Sequence, residues 1–338
     1  MPEESVLCVI RSADFFMSMT EENEIPTAFR TRLQTLLPAG HFEECWRSFS
    51  AVHATTFRAN LLKMDADALY AELASEGFSP TSLPWKASAF TVPAEQRRRL
   101  TESAAYAEGR LYIQNASSMV PPLLLDPQPD EWILDLTAAP GSKTLQLAEM
   151  MGNAGRISAV ESVRGRFFRM RDNLAKHGAG NVQTYLKDGA RVWRQCPEQF
   201  DRVLLDAPCS SEGQFKVGEP KSWAYWSEKK IAEMNRKQRK LIFSAVQCLK
   251  PGGVLVYSTC TFAPEENEAI VDRALGQFPG VLEVEAIELP FEHTESGVTD
   301  WKDKSFAQQV QRSRRILPLG GMEGFFVCRL RKMESSAY

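Results

Sequence analysis

From Glu131 onward, short apolar runs alternate with longer stretches in which apolar residues recur at helical spacing. The runs are Trp132 to Leu136, Gly155 to Val160, Val182 to Tyr185, Phe200 to Leu205, Val254 to Tyr257 and Phe325 to Leu330. Short apolar runs bounded by turn residues read as buried strands, and the intervening Lys143 to Met151, Val163 to His177 and Lys229 to Leu249 read as amphipathic helices. Such alternation predicts an α/β, Rossmann-like fold with a mostly parallel sheet and helices on both faces. The earlier part of the chain has a different texture. Pro26 to Leu37 opens on a proline, and Asp65 to Gly77 has an aspartate cap and a glycine stop, so both read as helices, with a short strand at Thr56 to Asn60 between them. This predicts a smaller, mainly helical α+β module over residues 1–130 and a larger domain over 131–338. Pro121, Pro122, Pro127 and Pro129 mark the junction.

Composition narrows the class. With 338 residues and 43% hydrophobic content the chain has material for two domains. No apolar stretch approaches membrane-spanning length, and Met1 to Phe16 carries Glu3, Glu4 and Asp14 where a secretory signal carries positive charge. A cytoplasmic protein without a membrane partner is expected. The seven cysteines (Cys8, Cys45, Cys196, Cys209, Cys248, Cys260 and Cys328) are scattered, with no C-x-x-C pair and no histidine at ligand spacing, which argues against a disulfide framework and against a metal site. A net charge of −3 gives no whole-molecule attraction for nucleic acid, so any polyanion must be held by a local patch.

Candidate chemistry gathers at the carboxyl ends of the expected strands, where open α/β sheets bind ligands. Ile133 to Leu136 runs into Thr137-Ala138-Ala139-Pro140-Gly141-Ser142-Lys143-Thr144, whose small residues let backbone approach a ligand closely. Neither G-x-x-x-x-G-K-[ST] nor G-x-G-x-x-G is present, which disfavours a nucleotide triphosphatase. Asp135, Glu161 and Asp188 stand at three successive strand ends. Together they suggest a cofactor with adenosine and positive charge but no phosphate, S-adenosyl-L-methionine over a dinucleotide. The fourth strand leads into Asp206-Ala207-Pro208-Cys209, and the fifth into Ser258-Thr259-Cys260-Thr261, with Pro264, Glu265, Glu266 and Glu268 reading as a helix start. A lone cysteine is usually an inert core residue. Two at the ends of strands that are usually neighbours could face each other over the cofactor.

DLTAAPGSKT (135–144), DAPCSSEG (206–213) and STCTFAPEENE (258–268), with QNASSMVPPLLLDPQPDEWILDL before them and EGFFVCRLRK after them, resemble the Sun/RsmF-type RNA (cytosine-5) methyltransferases. The resemblance runs from about Ala28 through most of the chain. Ser211 stands where a glycine is frequent in that family, Thr137 for a cysteine and Glu161 for an aspartate. The resemblance implies a class I methyltransferase that moves a methyl group from S-adenosylmethionine to carbon 5 of an RNA cytosine. It implies Cys260 as nucleophile on carbon 6, Cys209 as helper in release, Asp206 on the base edge and Lys143 beside it. Cofactor contacts implied in the same way are the backbone of Thr137 to Lys143, with Glu161 on the ribose, Asp188 near the adenine, Arg166 in support and Asp206 bordering both pockets. A free thiol near pKa 8.5 is a few per cent ionised at neutral pH, so ionisation alone can contribute at most about 2 kcal/mol and positioning must supply most of the rest.

The implied partner is ribosomal or transfer RNA, bound by a monomer at a single-stranded or loop cytosine, because a base must leave its stack to be methylated. Candidate backbone contacts are Arg97 to Arg99, Lys216, Lys221, Arg236, Lys237, Arg239, Lys240, Arg312, Arg314 and Arg315, with Trp223, Tyr225 and Trp226 as stacking surfaces. Two other classes use the same scaffold: a non-catalytic RNA-binding or ribosome-assembly factor, and a methyltransferase for another substrate. The latter has no need of two strand-end cysteines.

Overall fold

A computed structural model describes residues 24–336; the Met1 to Phe16 reading and Cys8 lie outside the described residues. In the N-terminal part, α1 (Thr27–Leu36) and α2 (Ala39–Ser48) each start directly after a proline, whose fixed φ suits a helix entry. There follow β1 (Thr55–Ala59), α3 (Ala66–Ser75), β2 (Thr81–Leu83), β3 (Lys86–Val92), α4 (Arg97–Glu102), α5 (Ala104–Ala107) and β4 (Leu111–Ile113). The four strands form an antiparallel sheet in the order β2-β3-β1-β4, over a core of Phe57, Leu69, Leu73, Phe90, Leu100 and Leu111. The apolar pattern marks only β1; β2 and β4 are three residues each, and β3 mixes small and polar residues with its apolar ones. Helices α1 and α2 bury Phe29, Leu33, Phe42 and Cys45 against Phe215, Trp223, Phe262 and Leu317 rather than against that sheet.

The rest comprises α6 (Val120–Leu125), β5 (Trp132–Asp135), α7 (Ser142–Met150), β6 (Arg156–Glu161), α8 (Arg164–His177), β7 (Val182–Leu186), β8 (Phe200–Asp206), α9 (Glu228–Cys248), β9 (Leu249–Thr259), α10 (Glu268–Gln277), β10 (Leu282–Glu285), β11 (Thr294–Ser296), β12 (Asp300–Trp301), β13 (Lys304–Ser305), β14 (Arg314–Ile316) and β15 (Phe325–Lys332). The large sheet runs β7-β6-β5-β8-β9-β15-β14-β11, with β10 also beside β15. β5 to β9 are mutually parallel, and an antiparallel edge begins at β15. β9 is longer than its apolar run because it is paired on both sides, to β8 and to β15. Its side chains pack with α9 through Leu255, Tyr257, Ala245 and Val246. Chain order reverses between β5 and β8, which makes their carboxyl ends the topological switch point where such sheets bind ligands. The β8–β9 register places Asp206 opposite Ser258, so the loops carrying Cys209 and Cys260 leave the sheet side by side.

Candidate active site

The two thiols meet. Cys209 Sγ lies 3.3 Å from Cys260 Sγ, and Cys260 Sγ is 3.6 Å from Ser211 Oγ. Its contact with Cys260 and then burial hold the Cys209 thiol well above its ordinary range, so Cys209 keeps its proton and can share it with the neighbouring sulfur. Ser211 adopts φ 60°, the left-handed region that favours glycine, which accounts physically for the glycine frequent at this place in the resembling family. Ser211→Gly is expected to raise the unfolding free energy by about 0.5–1 kcal/mol, read from urea denaturation. An unchanged or lower value would show that this loop's backbone is not strained.

At the switch point, Asp206 Oδ2 accepts from Lys143 Nζ at 2.6 Å and Oδ1 from Ser258 Oγ at 2.8 Å, while its backbone carbonyl accepts from Thr137 Oγ1 at 2.8 Å. Lys143 also donates to Ser118 Oγ at 2.7 Å and sits 5.6 Å from the Phe325 ring centroid. One ion pair therefore joins the helix start of α7 to the end of β8, beside the thiols' loops. The Thr137 to Lys143 loop is braced from several sides. Ala138 N–H donates to Val160 O at 2.9 Å, Arg166 to Ala139 O at 2.7 Å and Asn173 to Pro140 O at 2.9 Å. Gly141, at φ 99°, turns the chain into α7. Glu161 is 4% exposed; its Oε1 accepts from Val163 N–H at 2.7 Å and its Oε2 lies 3.6 Å from Arg166. Asp188 is exposed and accepts from Ala190 N–H at 3.0 Å. Asp135 is fully buried and accepts from Thr144 Oγ1 at 2.6 Å through Oδ2, while Oδ1 has no partner.

Several residues that organise the site were not singled out by sequence. The glutamates after Pro264 are not a solvated first turn: α10 begins only at Glu268, and Glu266, Asn267 and Glu268 are each 0% exposed. Glu268 forms a buried ion pair with Arg315. Asn267 Oδ1 accepts from Thr259 Oγ1 at 2.5 Å and its Nδ2 donates to Thr261 O at 2.9 Å. Glu266 faces the Cys209 loop, and Glu212 faces the loop after Cys260. Gly213 lies so close to Gly324 that a Cβ there would be 1.9 Å from Gly324 O, which locks the same loop against the start of β15.

Burial pushes the Glu266 carboxyl up to about 8 and that of Asp135 up to about 7. Folded-state values above the ordinary carboxylate range mean that the folded chain holds these protons more tightly than the unfolded one. The associated stabilisation is complete below about pH 4 and is lost as pH rises through 7 to 8. Between pH 6 and 8.5 the Glu266 share of that loss should be on the order of 2 kcal/mol, and Glu266→Gln should remove it. Urea unfolding at the two pH values measures it; an unchanged pH dependence in Glu266→Gln would contradict the assignment.

Two of the expected RNA contacts are corrected by burial. Arg315 is 2% exposed and committed to Glu268 and to Phe262 O, at 2.8 Å. Trp223 is 7% exposed, packed against Phe215. Both belong to the core; Trp223 follows a three-residue turn and Arg315 sits in a three-residue strand, segments too short for periodicity to reveal which face turns inward. Trp226 is half-buried with Nε1 donating to Glu212 at 2.8 Å, whereas Tyr225 is 87% exposed. Arg98, Lys237 and Arg312 pair with Glu102, Glu233 and Glu283, and Arg99 lies 4.1 Å over the Phe78 ring centroid. Arg97, Lys216, Lys221, Arg236, Arg239 and Lys240 are exposed.

Among the described residues no helix is long and apolar enough to cross a membrane. The model of the family described as 16S rRNA methyltransferase RsmB/F matches residues 122–331, and that of the N-terminal domain of 16S rRNA methyltransferase RsmF matches residues 25–116. A tRNA (cytosine(49)-C(5))-methyltransferase of Pyrococcus abyssi is 38% identical over 295 residues, spanning 86% of this chain and 92% of that protein. Ribosomal RNA small subunit methyltransferase F of Vibrio campbellii is 35% identical over 313 residues, spanning 91% of this chain but 63% of that protein, so the chain covers less than two thirds of that relative. The crystal structure of a methyltransferase homolog protein from Pyrococcus horikoshii matches with a TM-score of 0.79 and 31% identity, covering 93% of this chain and 99% of that one. The resemblance seen in the motifs and the fold it implies are thus both borne out. Because the family's match takes in every strand of the parallel sheet and both cysteine loops, the chain belongs to the 16S rRNA methyltransferase RsmB/F family.

Proposed function

We propose that the chain transfers a methyl group from S-adenosylmethionine to carbon 5 of a cytosine in RNA, through a covalent cysteine–cytosine intermediate. The observation that carries this reading is the pair of sulfurs 3.3 Å apart at the ends of adjacent parallel strands, next to the Lys143–Asp206 ion pair. Carbon 5 is a weak nucleophile. Addition of the Cys260 thiolate to carbon 6 forms an S–C bond and pushes the ring electrons onto carbon 5. Asp206, fixed by Lys143 and Ser258, accepts from the exocyclic amine and from ring nitrogen 3, which takes a proton from solvent as the ring electrons move and gives it back on release. Once Cys260 is a thioether on carbon 6, the contact that held the Cys209 proton is gone; Cys209 releases that proton to solvent and takes the proton from carbon 5. The electron pair left behind reforms the ring double bond and expels Cys260.

The residues present fit the cofactor. S-adenosylmethionine supplies, when bound, an electrophilic methyl group on a cationic sulfur. Glu161 and Asp188 at the ends of β6 and β7 bring carboxylates where the ribose and adenine lie in such folds, and the loop from Thr137 to Lys143 brings backbone. Arg166, which reaches this loop from α8, is spent on Ala139 O and Glu161, and Lys143 on Asp206, which suits a ligand without phosphate. The unpartnered Asp135 oxygen supports a polar ligand group behind that loop.

Ribosomal RNA is the favoured substrate and transfer RNA the second, since the relatives' names include both. In this reading residues 1–130 serve as an RNA-recognition module and 131–338 as the catalytic domain of a cytoplasmic monomer. The target is a single-stranded or loop cytosine, and the exposed basic residues above, with Tyr225, contact the RNA backbone and bases. The test is methyl transfer from isotopically labelled S-adenosylmethionine to total RNA, protein and DNA, followed by bisulfite mapping of the labelled RNA. Label at cytosine 5 is the expected result. Label only in protein, or binding of RNA without label, would replace the reading by one of the other two classes.

A further inference from the structure

Two buried carboxylates stand between the cysteine loops, and each holds the loop of the other strand. Glu266, which follows Cys260 in the chain, turns back: its Oε2 accepts from Ser210 N–H at 3.1 Å and from Gln238 Nε2 at 2.8 Å. The same Gln238 nitrogen donates to Pro208 O at 2.9 Å. The peptide groups on both sides of Cys209 are thereby fixed to one Glu–Gln pair. Glu212, which follows Cys209, does the converse: its Oε2 accepts from Thr261 Oγ1 at 2.9 Å and from Phe262 N–H at 3.0 Å, just after Cys260. Its other oxygen accepts from Trp226 Nε1 at 2.8 Å. Ser210 Oγ to Thr261 Oγ1 at 2.7 Å and Gly213 N–H to Cys260 O at 2.9 Å close the crossing. Glu212 is 1% and Glu266 0% exposed, so neither is available to RNA or solvent.

We propose that Glu212 and Glu266 are positioning residues with separate duties: Glu212 sets Cys260 for attack on carbon 6, and Glu266 with Gln238 sets Cys209 for release. The inference rests on the proposed methyl transfer and goes further, because it assigns the two half-reactions to two different supports. Attack needs Cys260 aligned with carbon 6; release needs Cys209 within reach of the carbon 5 proton. A displacement of about 1 Å costs each step on the order of 100-fold. The carboxylates also differ in how they are used. Only one oxygen of Glu266 has partners, so an amide can replace it. Both oxygens of Glu212 accept, so an amide must turn a donor towards a donor.

The test separates the half-reactions with two RNA probes, a mixture of unmodified small-subunit rRNA and tRNA transcripts, made with cytidine or with 5-fluorocytidine. With S-adenosylmethionine present, carbon 5 of an attacked fluorinated base takes the methyl group and then carries fluorine where a proton would have to leave, so the base stays attached and trapping reports the steps up to methyl transfer without release. Denaturing gels read the protein–RNA adduct. Glu266→Ala and Gln238→Leu should trap fluorinated RNA within about 3-fold of the parental rate, yet leave a persistent adduct on ordinary RNA and lose at least about 10-fold in turnover. Glu212→Ala should slow trapping by at least about 10-fold and leave no adduct on ordinary RNA. Glu266→Gln should restore turnover to within about 3-fold of the parent, and Glu212→Gln should not. Should Glu212→Ala not fold, Thr261→Val, which removes one of its contacts, must shift trapping in the same direction. Identical adduct behaviour for the two sets of variants, or parental behaviour in all of them, overturns the proposal. Absence of any adduct from the parental protein on fluorinated RNA instead overturns the methyl-transfer reading itself.

Discussion

Cys260→Ser is expected to abolish methyl transfer, by about 10⁴-fold or more, while leaving the fold and cofactor affinity intact. Removal of a covalent nucleophile costs losses of this order in enzymes whose chemistry runs through it. A serine hydroxyl is far less acidic than a thiol and does not add to an aromatic carbon at neutral pH. Cys209→Ser is expected to differ in kind: carbon 6 is still attacked, but the carbon 5 proton is not removed. Protein and RNA then accumulate as a denaturation-resistant adduct and turnover falls. Mixing each variant with RNA and S-adenosylmethionine and resolving the products under denaturing conditions decides the matter. The two sulfurs lie 3.3 Å apart, so position alone does not tell attacker from helper. Contact with Cys260 and burial raise the Cys209 thiol, so Cys209 is the sulfur that donates to its neighbour, and Cys260 as attacker follows the resemblance of the two motifs. An adduct from Cys260→Ser and none from Cys209→Ser would reverse the roles.

Asp206→Ala is the second large effect. Its carboxylate is the shared acceptor of Lys143 and Ser258, so the substitution removes the base-edge acceptor and also frees a lysine whose side chain is only 10% exposed. A loss of about 10²–10³-fold in kcat/KM is expected, the size associated with one preorganised polar contact in a site. A partly buried charge left without its partner adds a stability cost of about 1–3 kcal/mol, reduced by the access of solvent to Asp206. Because the carboxylate stabilises the proton that ring nitrogen 3 takes up as electrons enter the ring, the loss should appear in kcat more than in KM for RNA. A change confined to KM for S-adenosylmethionine would move Asp206 from the base to the cofactor.

The positions of the strands, the helices between them and the cysteines at strand ends were legible because each is a local property. Alternating apolar runs report which segments are buried, and Pro264 or Gly141 reports where a segment turns. The inward turn of Glu266 and Glu268 was not legible. A proline followed by glutamates has the composition of a solvated helix entrance, and only the partners Ser210, Gln238 and Arg315, far away in the chain, make burial of those carboxylates affordable. Arg315 and Trp223 failed as RNA contacts for the same reason. Each looks like surface in isolation and is buried by a complementary group that local pattern cannot see.

By itself the sequence determined an α/β sheet with two thiols and several acids at strand ends, since side-chain period and turn chemistry act over a few residues. The order of the strands was decided only by tertiary structure. Pairing β8 with β9 brings Cys209 within 3.3 Å of Cys260, 51 positions along the chain, and it lets Glu212 and Glu266 each reach over to the other's loop. Such contacts depend on register and on which strands are neighbours, and these are settled by the burial of whole faces against α9 and the rest of the core.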